Sequence, residues 1–262
     1  GKFTWKNGYF YDGDWKDDKF HGFGTFKTPN GYEYIGEWKN DKRNGKGKKT
    51  QLNGAFYDGK WKDDQFHGFG KIKTSNGNEY IGEWENNKMN GKGKKTQLNG
   101  SFYDGEWKDE KFHGFGTLKS SNGDEYIGEW ENDLRNGKGK ITWTNGRFYD
   151  GEWTNDLRNG KGKLILPSGV IYEGDFKDNK IFGKGKLNWP SGVIYEGDFK
   201  DNKIHGYGII TYPKEFNGEK NSDIIKFEGK FLNDKRQGKG ILTRGDKKII
   251  LHPWSIFLFI SI

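Results

Sequence analysis

The chain has 262 residues, no cysteine and a formal net charge of +8, with 31% hydrophobic residues, 17% Phe, Trp or Tyr, and 42 glycines. A thick aliphatic core is excluded, since globular chains carry about 45 to 50% apolar residues, as are a disulfide framework and a thiolate metal site. So much aromatic material excludes a disordered polyelectrolyte, and 37 acids interleaved with 45 bases argue against a DNA-binding arm.

Read in chain order, residues 1–8 (GKFTWKNG) align with GKITWTNG at 139–146. The sequence therefore opens inside a repeat, and 1–8 is expected to be the second strand of an upstream unit, with Phe3 and Trp5 on an uncovered edge. Nine regular copies fill residues 9–212. Tyr11, Tyr34, Tyr57, Tyr80, Tyr103, Tyr126, Tyr149, Tyr172 and Tyr195 recur every 23 residues, each opening Tyr-x-Gly-x-Trp or Tyr-x-Gly-x-Phe. A Gly-x-Gly pair follows in every copy, from Gly22/Gly24 to Gly206/Gly208. An enlarged hairpin loop at 213–224 precedes a tenth, divergent copy at 225–246, with Phe227, Gly229, Phe231 and Gly238/Gly240. Residues 247–262 form an apolar tail in which Trp254, Phe257 and Phe259 are candidates for capping or docking; it is too short for a bilayer span of about 20 residues.

The pattern predicts strands. Tyr34, Gly36 and Trp38 alternate with Ile35 and Glu37, so the rings and the glycine share one face. The pairs Asn30-Gly31, Asn53-Gly54, Asn76-Gly77, Asn99-Gly100, Asn122-Gly123 and Asn145-Gly146 are expected to form two-residue hairpin turns, with Ser168-Gly169 and Ser191-Gly192 as weaker versions. The expected fold is all-β: a single-layer antiparallel meander of about ten 23-residue hairpins, elongated and twisted. Each strand glycine is expected to leave a slot in which a Tyr or Trp ring of the adjacent hairpin lies flat. The first seven copies also alternate with a period of 46: odd copies carry Phe10/Phe23, Phe56/Phe69 and Phe102/Phe115, even copies Ile35, Ile81 and Ile127. Each isoleucine is expected to pack between phenylalanines on the reverse face.

These positions resemble the MORN repeat (membrane occupation and recognition nexus), a 23-residue unit with the same signature. Phe176, Phe199 and Phe231 replace its Trp, Phe227 its Tyr, and the position after the tyrosine alternates between Asp and Ile. The resemblance implies a structural scaffold or adaptor. Its relatives built almost wholly of repeats include radial-spoke-head components of cilia and scaffolds of the cytoskeleton or of membrane junctions. It therefore also implies a cytoplasmic, cytoskeletal setting in a ciliary axoneme, with other proteins of a large assembly as partners. In other relatives such repeats accompany lipid-kinase or methyltransferase domains, so a repeat region of a longer enzyme is an alternative.

The candidate partner-binding groove is lined by Tyr34, Trp38, Tyr57, Trp61, Tyr80, Trp84, Tyr103, Trp107, Tyr126, Trp130, Tyr149 and Trp153, whose aromatic side chains are the usual anchors of binding energy. A second candidate is a lysine ladder on the reverse face for anionic lipid headgroups: Lys46, Lys48, Lys92, Lys94, Lys138, Lys140, Lys161, Lys163, Lys184 and Lys186. Glutamates such as Glu33, Glu37, Glu79 and Glu83 project from the same face, so cross-strand neutralisation competes with that reading. His21, His67 and His113 recur two repeats apart, about 19 Å, too far to share an ion bound at about 2 Å. Asp12 to Asp18 lacks the order of a calcium loop. Gly-x-Gly without a following helix is no nucleotide site. Nothing assembles a catalytic constellation, so the sequence reads as a non-enzymatic scaffold without cofactor, small-molecule substrate or nucleic-acid partner.

Overall fold

The computed structural model describes residues 1–216, 219–220 and 225–251. Among these there are strands and no helix, and 22 of the 24 strands belong to antiparallel meander ladders. The chain forms two compact units, residues 1–133 and 134–262. In the first, strands of seven and nine residues alternate, as in Glu33–Lys39 followed by Lys42–Thr50. In the second the alternation runs from Leu134–Thr142 to Lys203–Tyr212, then Ile225–Leu232, Lys235–Arg244 and Lys247–Leu251.

Within the enlarged loop, Glu215–Phe216 and Glu219–Lys220 pair as a small ribbon. The first residues of the apolar tail are a strand, Lys247–Leu251, paired with Lys235–Arg244. Trp254, Phe257 and Phe259 lie outside the described residues.

Turn geometry departs from the expectation. The two-residue turns are the polar dipeptides Asn40-Asp41, Asp63-Asp64, Asn86-Asn87 and their equivalents, with both residues at positive φ, 50° and 65° at Asn40-Asp41. Asn and Asp tolerate this left-handed region, which suits the twist of a hairpin. At Asn30-Gly31 only Gly31 has positive φ, 80°. The Gly31 N–H donates to the Thr28 carbonyl and the Thr28 N–H to the Tyr32 carbonyl, at 3.1 and 2.9 Å. That is a three-residue connection, a type I turn closed by a left-handed glycine.

The two glycines of each Gly-x-Gly do different work. Gly36 pairs with Gly47, but Trp38 pairs with Arg43, so Glu37 faces a bulge at Asn44–Lys46. Gly45 adopts φ +92° in that bulge, and its neighbour Lys46 donates its N–H to Glu37 Oε1 at 2.8 Å. Gly47 is the seat of a ring: a Cβ there would lie 2.5 Å from Cζ of Tyr34. Ring-on-glycine packing is therefore present, with one correction. The ring comes from the same hairpin, because Tyr34 stands on the strand that pairs with Gly47.

The next hairpin contributes its indole. Trp61 Nε1 donates to the Gly47 carbonyl at 2.8 Å, and Trp107 does the same to Gly93 at 2.8 Å. Where phenylalanine replaces tryptophan, at Phe176, Phe199 and Phe231, that donor is lost but the ring still meets the preceding tyrosine edge to face, Phe176 on Tyr149 at 5.0 Å. Rings thus replace the second layer that a single sheet lacks.

Candidate functional site

The twelve rings of the expected groove are the core. Tyr34, Tyr57, Tyr80, Tyr103, Tyr126 and Tyr149 are 0 to 3% exposed and Trp38, Trp61, Trp84, Trp107, Trp130 and Trp153 3 to 7%. Each tyrosine hydroxyl donates to the carbonyl three residues on, as Tyr34 does to Glu37 at 3.0 Å. Burial pushes up the phenols of Tyr34, Tyr57, Tyr80, Tyr103 and Tyr149, and that of Tyr11, their counterpart in the first repeat, to about 12. The rings therefore hold the fold and leave a partner little of themselves to touch. The physical reason is the glycine seat, which lets each ring sink onto the backbone.

What lies over that layer is a second row that sequence reasoning missed. In odd repeats Phe20, Phe66 and Phe112 stack flat on Tyr11, Tyr57 and Tyr103 at 3.9, 3.8 and 3.8 Å. In the even position Arg43 lies over Trp61 at 4.2 Å and donates from Nε to Asp64 at 2.8 Å; Arg135 repeats this over Trp153 at 4.3 Å with Asp156. The signal was available: these residues follow the turn dipeptide at a fixed offset of two. A further row on this face reads Phe26, Lys49, Ile72, Lys95, Leu118 in the first unit and Ile141, Leu164, Leu187, Ile210 in the second. Phe20, Phe66, Phe112, Ile72 and Leu118 are half-buried and form the apolar layer that this face of the first unit leaves accessible.

The reverse face corrects another expectation. Ile35, Ile81 and Ile127 are 39 to 41% exposed and Phe23, Phe69 and Phe115 57 to 60%. The isoleucines do not pack between phenylalanines. Register explains it: Ile35 stands between Thr25 and Lys48, and Ile81 between Lys71 and Lys94, whereas Phe23 and Phe69 face Glu37 and Glu83.

Of the lysine ladder, six members pair with the carboxylate directly across the strand. Lys94, Lys140, Lys163 and Lys186 meet Asp104, Asp150, Glu173 and Glu196 at 3.5, 3.1, 2.7 and 2.6 Å. Lys161 and Lys184 pair with Asp175 and Asp198. Lys48 lies over the Phe56 ring at 5.1 Å, and Lys46 stands opposite Lys60. Lys92 and Lys138 stand opposite Glu106 and Glu152. Beside the ladder, the Lys71 ammonium holds the Glu79 carboxyl below its usual range.

His21, His67 and His113 lie on the bulged strands. His21 and His113 stand opposite Asp14 and Glu106 in separate hairpins, and no group of three metal-ligating side chains occurs among the described residues.

Fold and surface together define a β-hairpin repeat scaffold with a ring core; in the first unit one face carries half-buried apolar residues over the rings, and the other carries cross-strand ion pairs beside exposed Phe23, Phe69 and Phe115. The MORN repeat model matches residues 11–31, 34–55, 57–79, 80–102, 103–125, 126–146, 149–171, 172–194, 195–215 and 227–248, and the chain belongs to that family. MORN arrays are protein- or membrane-binding, non-catalytic repeat scaffolds. No curated protein matches. Among solved structures, the TCP domain of Drosophila melanogaster SAS-4, in complex with a proline-rich motif of Ana2, matches at 14% identity. The match covers 67% of this chain and 85% of that one at a TM-score of 0.36. The TCP10 domain of Danio rerio CPAP with a STIL peptide matches at 11% identity over 95% and 96%, with a TM-score of 0.30. At these scores neither likeness bears on what this chain binds.

Proposed function

We propose that the protein is a non-enzymatic adaptor that holds an extended or helical segment of another protein against the ring-bearing face, within a cytoskeletal assembly such as the ciliary axoneme. One observation supports it: two half-buried apolar rows, Phe20, Phe66 and Phe112 in one and Ile72 and Leu118 in the other, over a packed ring layer. The opposite face has its charges largely matched across strands, which leaves the ladder little net attraction for anionic lipid. The axonemal setting rests on the family resemblance.

A photo-crosslinking residue placed at Ile72, and in a second variant at Lys94, tests the reading in ciliated cells. Capture of one axonemal protein from position 72 and not from 94 is the expected result. Capture from 94 alone, or salt-sensitive sedimentation with anionic vesicles and no protein capture, rejects it.

A further inference from the structure

Lys49 and Lys95 occupy the row that holds Phe26, Ile72 and Leu118 in the neighbouring repeats of the same unit. Both sit on the ring-bearing face, half-buried. Lys49 stands between Tyr34 and Tyr57 and Lys95 between Tyr80 and Tyr103. Neither ammonium meets a carboxylate within salt-bridge distance among the described residues; the nearest ring faces are Tyr32 at 5.7 Å and Trp107 at 5.9 Å. Burial and Arg43 hold Lys49 below its usual range. The neighbouring cation Arg43 is already engaged by Asp64 and Tyr32. The two rows over the rings in this unit contain no acid at all: Phe20, Arg43, Phe66, Met89 and Phe112 form one, and the row of Lys49 and Lys95 the other. A cation partly withdrawn from water with no anion beside it carries a cost, and in this row the other repeats avoid it with an apolar residue.

We infer that Lys49 and Lys95 receive two carboxylates of an acidic, otherwise apolar segment of a partner protein laid across Phe66 and Ile72. The inference rests on the adaptor reading and adds the partner's chemistry to it. The two lysines stand four strands apart, on the order of 19 Å. That separation sets the carboxylates about six residues apart in an extended segment or about thirteen apart in a helix. Between them, beside Lys49, a hollow of about 260 Å³ has Ala55, Tyr57, Phe66 and Ile72 in its lining and receives an apolar side chain of the segment.

The test is a display selection of random peptides, roughly 20 residues long so that a helix can span both lysines, on the intact chain. Enriched sequences are expected to share Asp or Glu at one of those two spacings around an apolar residue. Their binding should weaken about tenfold or more in the Lys49→Leu/Lys95→Leu double variant, a change of about 1.4 kcal/mol, and in high salt. The variant keeps the residue type of Leu118, so a melting temperature equal to or above that of the parent separates lost binding from lost fold. Three results overturn the inference: no enrichment, enriched peptides without acids, or peptides that bind the double variant as tightly as the parent. If such peptides are nevertheless weakened by Ile72→Ser, the adaptor reading survives and the lysine assignment alone fails. If Ile72→Ser leaves them unchanged, both fail.

Discussion

At the scale of single residues, a strand glycine and a loop glycine carry two different requirements. Gly47 is needed for space, because the Tyr34 ring rests on it and a Cβ would lie 2.5 Å from Cζ. Gly100 is needed for conformation: it has φ +83° and open space around a hypothetical Cβ. Gly47→Ala should therefore cost about 2 to 3 kcal/mol, as overpacking does, and Gly100→Ala only about 1 kcal/mol, the left-handed penalty. Chemical denaturation of the two variants checks this, and equal losses would refute the ring seat. The same contrast shows what the sequence made legible. Spacing placed Tyr34 and Gly47 on one face, and composition required rings as buried material. Neither could tell that Tyr34 seats within its own hairpin, since that depends on which strand pairs with Gly47, a register set only when the strands come together.

At the scale of the hairpin, stacking of repeats depends on the polar turn dipeptides. The second turn residue clamps the preceding hairpin with two bonds. Asp64 donates its N–H to the Arg43 carbonyl at 3.0 Å, while its Oδ1 accepts from the Arg43 N–H at 3.0 Å. Asp41, Asn87 and Asp133 bind Phe20, Phe66 and Phe112 in the same way. Glu110 departs: its N–H donates to the Met89 carbonyl at 2.9 Å, but its longer side chain makes no such bond, and it sits at φ 69°. Glu110→Asp should stabilise the chain by about 1 kcal/mol by completing the clamp and easing the left-handed residue. Asp64→Gly, which keeps that conformation available, should cost about 1 to 2 kcal/mol. Thermal melts decide both, and an unchanged Glu110→Asp variant would show that the carboxylate clamp adds nothing. The turns were misjudged from sequence because Asn-Gly is the stronger two-residue signal, and here it closes three-residue loops. Of the acidic dipeptides, Asp17-Asp18 does read from the sequence as lying in the turn between strands. Their role appears only when the repeats are stacked.

Across the whole molecule, a repeat array gains stability from each unit and from each contact between neighbours. The tyrosines tie both terms to pH. Burial raises the phenols of Tyr34, Tyr57, Tyr80, Tyr103, Tyr149, Tyr172 and Tyr195 above the ordinary value of 10.0, and that of Tyr11 to about 12. A raised folded value means that the folded state holds protons the unfolded state has released. The stabilisation is therefore complete below pH 10 and is lost as pH climbs from 10 through the folded values. Geometry sharpens the loss. Each hydroxyl donates to a backbone carbonyl, 2.9 Å away for Tyr172 and Asp175, and a phenolate would set an anion against that oxygen. One ring cannot ionise in place without freeing the glycine seat beneath it and the indole or phenyl edge of the next hairpin against it. Alkaline titration should then show tyrosinate absorbance rising together with loss of strand circular dichroism, in a transition well above pH 10. A gradual titration with the strands intact would mean that the rings are reachable by solvent one at a time, and would refute the coupling of seat, hydroxyl and neighbour.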